Sequence, residues 1–260
     1  MFKRSVLPAI MLLLALWLLA ACATATTAPV ATDTPVPTDT PAPTATSISA
    51  EAIVEAALEA TQAAESFHVD MSMVMTMSMP AALPAPVRIP VTMVGDVQPP
   101  DRSHATVSMN MQGLNIETEM VTISNTTYVK NPSTGEWLVS TQSASPLSPD
   151  DLLSFKPGEM EGLTIVGEET LDGVPVYHLA GTASMPLEIG EPFGTATGMV
   201  EVDYWIDKED NYVRQGTIFG DIPVTGEMTA TISISATMIL SDYGKTVTIE
   251  APEVGATPAP

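Results

Sequence analysis

The chain has 260 residues, with 31 acidic side chains against 9 basic ones, a net charge of −22 and one cysteine. So acidic a protein cannot hold a phosphate backbone by counterion release and is repelled by anionic lipid headgroups, which excludes nucleic acid as a partner. A lone cysteine excludes an internal disulfide framework, so the folded part must be held by its core, for which roughly 200 residues suffice.

The N-terminus opens with Lys3 and Arg4, continues with an apolar run from Val6 to Leu19, and closes on Leu19-Ala20-Ala21-Cys22. A positive start, a short apolar stretch and small residues at the end are the grammar of a secretory signal. The run falls short of the ~20 residues a spanning helix needs. Ending on cysteine, it resembles the bacterial lipobox, whose cysteine is acylated before the signal is removed. Residues 1–21 are then a signal peptide, and Cys22 is the lipid-attachment residue of a mature protein held by acyl chains of the palmitate class at the extracytoplasmic face of the cell membrane. The alternative is an ordinary signal or membrane helix with an incidental cysteine.

Residues 22–46 continue as a Thr/Pro/Ala tract with two charges. It has no apolar periodicity and is expected to be an extended, solvated tether reaching roughly 70 Å at ~3.1 Å per residue. A domain is expected over residues 47–252, followed by a disordered tail, 253–260. Ser49 can cap a helix whose first turn carries Glu51. Ile53, Val54, Ala57, Leu58, Ala64 and Phe67 fall on one face, giving an amphipathic helix of about five turns.

Beyond the helix almost everything reads as strand. Residues 67–79 alternate strictly, with Met71, Met73, Met75, Met77 and Met79 on one side and Asp70, Ser72, Val74, Thr76 and Ser78 on the other. Period two is the strand signal. Met109 and Met111 repeat it, and Ala230, Ile232, Ile234, Ala236, Met238 and Leu240 form the apolar side of another long strand. Asp172-Gly173 marks a two-residue hairpin between Thr164–Leu171 and Val174–Ala180. Lys208–Asn211 joins Val200–Asp207 to Tyr212–Phe219. Ser148-Pro149-Asp150-Asp151 starts a short second helix, with Leu152, Leu153 and Phe155 as its apolar side. The sum is ten or eleven antiparallel strands with a long N-terminal and a short mid-chain helix. The fold class is α+β, with a large curved antiparallel sheet in the manner of a half-open barrel.

Three segments carry a family resemblance. Gly162–Thr182, GLTIVGEETLDGVPVYHLAGT, resembles the hairpin G-x-E-x-x-x-G-x-x-x-Y-x-L of the mycobacterial LppX/LprA/LprF/LprG lipoproteins. Val202–Arg214, VDYWIDKEDNYVR, and Ser241–Pro252, SDYGKTVTIEAP, resemble the later strands and the closing segment of that family. The resemblance spans residues 49–252 and implies the fold shared with the lipoprotein localisation factors, a half-open barrel with helices over its mouth. It also implies an apolar cavity that takes acyl chains for carriage across the envelope. Pro80–Pro90 and Met185–Thr197 look like inserted loops relative to that pattern.

The methionine face is the sharpest feature of the domain itself. Unbranched, polarizable thioethers suit a wall that accepts flexible acyl chains. The candidate lipid-contacting wall is Met71, Met73, Met75, Met77, Met109, Met111, Ile232, Ile234 and Met238. The same residues also read as ordinary core, and the methionines as a Cu(I) site. Alternate strand residues lie roughly 6.6–7 Å apart, wide for sulfurs to converge on one ion. The stretches around Pro80–Val87, Met185–Phe193 and Phe219–Val224 read as apolar loops that rim a cavity, meet a membrane or partner, or fold back over the core.

Catalysis finds no motif. His68, His104 and His178 lack metal-ligand spacing, and there is neither a nucleophile elbow nor a phosphate-binding loop. Asp207, Glu209 and Asp210 lack the EF-hand pattern and read as a solvated hairpin turn. No metal and no cofactor are implied. The sequence therefore predicts a monomeric, non-enzymatic lipoprotein that binds a lipid or other acyl-bearing amphiphile. A structural or interaction lipoprotein with a filled core is the alternative.

Overall fold

The computed structural model describes residues 48–111, 113–140, 147, 155–190, 194–224 and 229–254. They lie in a compact unit that begins at Ser47, with a core formed from its own residues. The signal, Cys22, the tether, most of the tail and the expected helix at 148–154 lie outside the described residues. Among the described residues no helix is long and apolar enough to cross a membrane.

Helix α1 spans Ala50–Ala63 and starts where Ser49, in extended conformation, accepts the Ala52 amide at 3.2 Å. Such a cap contributes about 1 kcal/mol. The helix is shorter than the apolar periodicity predicts. Ala64 is already extended and Phe67 opens the first strand. Both are buried, so the apolar spacing carried past the helix end even though the helical backbone did not.

The strands in chain order are β1 Phe67–Ser78, β2 Val87–Gln98, β3 Arg102–Met111, β4 Leu114–Ile123, β5 Thr126–Lys130, β6 Trp137–Val139, β7 Met160–Leu171, β8 Val174–Gly190, β9 Gly194–Asp207, β10 Val213–Val224 and β11 Ala230–Ser241. They form one antiparallel sheet ordered β6-β5-β4-β3-β2-β1-β11-β10-β9-β8-β7. A 3-10 turn, Pro157–Glu159, precedes β7. The outermost strands β6 and β7 do not pair, so the sheet is open, as the sequence predicts.

Of the expected inserted loops, Pro80–Pro86 is a turn segment as predicted, but the described remainder is strand. Val87–Pro90 belongs to β2, Met185–Gly190 to β8 and Gly194–Thr197 to β9, with Leu187 opposite Ala196. Phe219–Val224 is likewise strand β10, not a loop. Prolines and glycines in these stretches read as turn signals, but cross-strand pairing in long hairpins overrode them. The Asp172-Gly173 hairpin forms as predicted, both residues taking positive φ, 50° and 86°.

The inner face of the sheet is the side of Phe67 and Val69. A Cβ on Gly95 of β2 would lie 2.3 Å from the His104 carbonyl oxygen on β3, and one on Gly220 of β10 would lie 2.9 Å from Val200 Cγ1 on β9. Missing side chains at these places let neighbouring strands close up on the inner side, which curls the sheet. The Phe67 end is tied down by the C-terminal segment. Gly244 N donates to the Ser66 carbonyl at 2.9 Å, the Ser66 hydroxyl to the Lys245 carbonyl, and Arg102 to the Ile249 carbonyl at 3.0 Å.

Candidate functional site

Antiparallel register lays the inner-face residues in rows across the sheet. One row runs Val107, Met93, Met71, Met238, Gly216, Tyr204 and Leu179, and the next holds Met109, Val91, Met73, Ala236, Ile218 and Val202. A third holds Ile89, Met75, Ile234, Gly220, Val200 and Ala183, and a fourth Val87, Met77, Ile232 and Ile222. The sequence alternation therefore correctly sorted the two faces of β1 and β11.

The rows divide into two apolar clusters. The larger gathers Ile53, Val54 and Ala57 of α1 with Phe67, Val69, Leu179, Ile206 and Leu240, and Met71 and Met238 belong to it. The crevice between α1 and the sheet, lined by Val54, Ala57, Leu58, Phe155, Tyr204, Ile206 and Val213, leaves about 10 Å³ of room. That holds no more than one water. The Tyr204 phenol in its wall has its pKa pushed up by burial, against an opposing hydrogen bond with the Phe155 backbone.

The smaller cluster lies toward the Met79 end. Its buried members are Ala196, Ile222, Val224, Ala230, Ile232 and Ile234, and Met73, Met75, Met77, Met79, Met185 and Leu187 pack on them half-buried. No residue of α1 takes part. Isoleucine forms the fixed base and thioether side chains form the adaptable surface.

The predicted wall thus separates into four groups. Met73, Met75, Met77, Ile232 and Ile234 are brought together. Met71 and Met238 sit in the larger cluster with α1. Met109 is half-buried in the second row but packs on neither cluster. Met111 is 41 % exposed at the β3–β4 hairpin. Sequence reasoning missed Met185, Leu187, Ile222 and Val224, which it assigned to loops. Period-two alternation through Met185, Leu187 and through Ile222, Val224 was the signal available.

The ionisable groups are spread over the outer face and the turns. His178 lies between Glu169 Oε1 at 2.9 Å and Asp203 Oδ1 at 2.7 Å and stacks on Trp205, ring centres 4.4 Å apart. The Trp205 indole donates to Glu169 at 3.1 Å, and this bond, with His178, holds the Glu169 carboxyl below its ordinary range. His68 is 2.7 Å from Asp96, and His104 is 3.7 Å from Glu119. Among the described residues no group of His, Cys, Asp or Glu is arranged to hold a metal ion. At the β9–β10 turn, Asp207 is 3 % exposed and accepts Arg214 Nη2 at 2.6 Å and the Glu209 amide at 2.9 Å. Its oxygens hold the turn together. The turn was expected to be solvated, but its first acid is buried and paired.

Among solved structures the chain is similar to the lipoprotein LppX of Mycobacterium tuberculosis, at 16 % identity and TM-score 0.47, covering 77 % of this chain and 98 % of that one. It is similar to LprF from Mycobacterium bovis, at 18 % identity and TM-score 0.41, covering 79 % and 97 %. A LolA superfamily protein from Nitrosomonas europaea matches at 14 % identity and TM-score 0.27, covering 77 % and 95 %. No curated protein matches the chain. The LppX_LprAFG lipoprotein model matches residues 49–249, so the chain belongs to that lipoprotein family.

Proposed function

We propose that the protein is an envelope lipoprotein, anchored through acylated Cys22 on the extracytoplasmic face of the cell membrane, that holds a lipid or other acyl-bearing amphiphile without covalent bonding, for carriage or presentation. The ligand's acyl chain lies against the smaller inner-face cluster, on Met73, Met75, Met77, Met79 and Met185. The observation that carries this reading is the half-buried thioether layer over buried isoleucines, in a cluster to which α1 contributes nothing. Family membership supports the lipoprotein anchor. Burial of methylenes, roughly 0.8 kcal/mol each, drives entry, and methionine side chains adapt to the chain that arrives. The process is exchange, not reaction.

Native mass spectrometry of the unit from Ser47 onward, purified from a lipid-containing host, tests the reading. A co-purifying mass that extracts as lipid supports it. A protein that stays empty after incubation with mixed lipids overturns it. The second reading, an interaction lipoprotein with a filled core, is favoured by the packed interface beneath α1, where about 10 Å³ is left. It gains the field if no lipid is captured.

A further inference from the structure

The turns of the sheet differ in charge, and the β5–β6 turn on the Met79 side carries Glu136. At the Phe67 end the turns carry Asp101, Asp172, Lys208, Glu209, Asp210, Asp242 and Lys245. At the Met79 end two adjacent hairpins, β1–β2 and β3–β4, carry no charge over Met71–Val87 and Ser103–Asn115 except His104, which lies at the opposite end of β3. Leu114 is 64 % exposed and Met111 41 %. Pro80, Ala81, Ala82, Pro84, Ala85 and Pro86 are exposed, with Leu83 half-buried among them.

The backbone of the β1–β2 tip suits an apolar medium as well. Pro80, Pro84 and Pro86 have no N–H, and the Ala82 and Leu83 amides donate to the Met79 carbonyl at 2.9 and 2.8 Å. Few donors are therefore stranded when water is removed, and stranded backbone donors are the main obstacle to placing non-helical chain in lipid. The first charge behind the tip is a cation, Arg88, exposed on the outer face and in no ion pair among the described residues. A guanidinium set just behind an apolar tip matches phosphate at headgroup depth.

We infer that the β1–β2 and β3–β4 hairpin tips form a docking surface for the interface of a phospholipid bilayer, with Leu83, Met111 and Leu114 as its apolar contacts and Arg88 as its phosphate contact. This contact is separate from the Cys22 anchor and does not depend on a lipid occupying the inner face. The occupant is a bilayer of zwitterionic phospholipid, because the chain's net charge of −22 opposes approach to anionic headgroups.

The test is flotation of the unit from Ser47 onward, which lacks the anchor, with phosphatidylcholine vesicles. The unit should float with the vesicles and stay bound at high salt, since apolar insertion is not screened. Leu83→Asp and Leu114→Asp should each weaken binding about tenfold or more. Asn125→Asp, in a turn at the opposite end, should leave it unchanged, and thermal melts of all variants report folding. Absence of vesicle binding by the wild type, or full binding by both folded variants, overturns the inference. A bound lipid seen by mass alongside failed flotation would sink the docking surface while leaving the proposed carriage standing.

Discussion

Met75 of β1 lies directly opposite Ile234 of β11, and the two are buried very differently: Ile234 is 1 % exposed while Met75 is half-buried. The pair shows the layering of the smaller cluster, with a fixed branched side chain beneath and a flexible thioether at its surface. Met75→Asp puts a carboxylate on the surface that an acyl chain would cover. Captured lipid, measured by mass after extraction, should fall by about tenfold or more, while the melting temperature changes little. Ile234→Asp should instead prevent folding, because an unpaired buried charge has no solvation there. Equal lipid retention by a folded Met75→Asp protein would remove this wall from the proposal.

The alternation of β1 and β11 was legible because period-two patterning needs only side-chain type, and the register confirms it from Met71 opposite Met238 to Met77 opposite Ile232. The division of that face was not legible. Whether Met71 meets helix α1 or Met77 meets Met185 depends on where a 14-residue helix lies over the sheet and how far the β8–β9 hairpin extends. Those are long-range facts. The β8–β9 and β10–β11 hairpins were misread because Pro186, Pro223 and several glycines punctuate strands that cross-strand pairing nonetheless carries through. The Asp172-Gly173 turn was legible because its cause is local, a backbone with positive φ at both positions.

The curl of the sheet depends on absent side chains, with Gly95 the tightest case. A Cβ there meets the His104 carbonyl oxygen at 2.3 Å and Ala105 Cα at 2.8 Å, both backbone atoms that cannot swing aside. Gly95→Ala should cost about 1–3 kcal/mol, read as a lower midpoint in urea unfolding. An unchanged midpoint would mean that β2 and β3 separate there at little cost.

The anchor makes a chemical demand that the fold does not. The intact precursor, expressed in a bacterial host with labelled fatty acid, should incorporate label, and Cys22→Ala should not. Two or more acyl chains hold a protein at a membrane stably, so the wild type should partition with membranes after washing at high salt. Label retained in Cys22→Ala would place the modification elsewhere.

Asp207 makes stability depend on pH. Burial alone would raise its pKa, but the Glu209 amide and the Arg214 guanidinium outweigh that and hold the carboxyl below its ordinary value. A folded value depressed below the unfolded one means the unfolded state binds the proton more readily. The contribution is therefore complete above the unfolded aspartate value, ~3.9, and is lost as pH falls through the lower folded value. Arg214 also reaches Asp210 at 3.1 Å and lies over the Tyr243 ring, 5.6 Å from its centre, so the guanidinium keeps partners when Asp207 is neutralised. Asp207→Asn should cost about 1.5–3 kcal/mol near neutral pH, the range for hydrogen bonds to charged groups. It should also flatten the fall in stability between pH ~5 and the acid limit. Urea midpoints measured across that range for wild type and variant check the sign. A variant that loses the same stability at every pH would show that the carboxylate's charge contributes nothing beyond its hydrogen bonds.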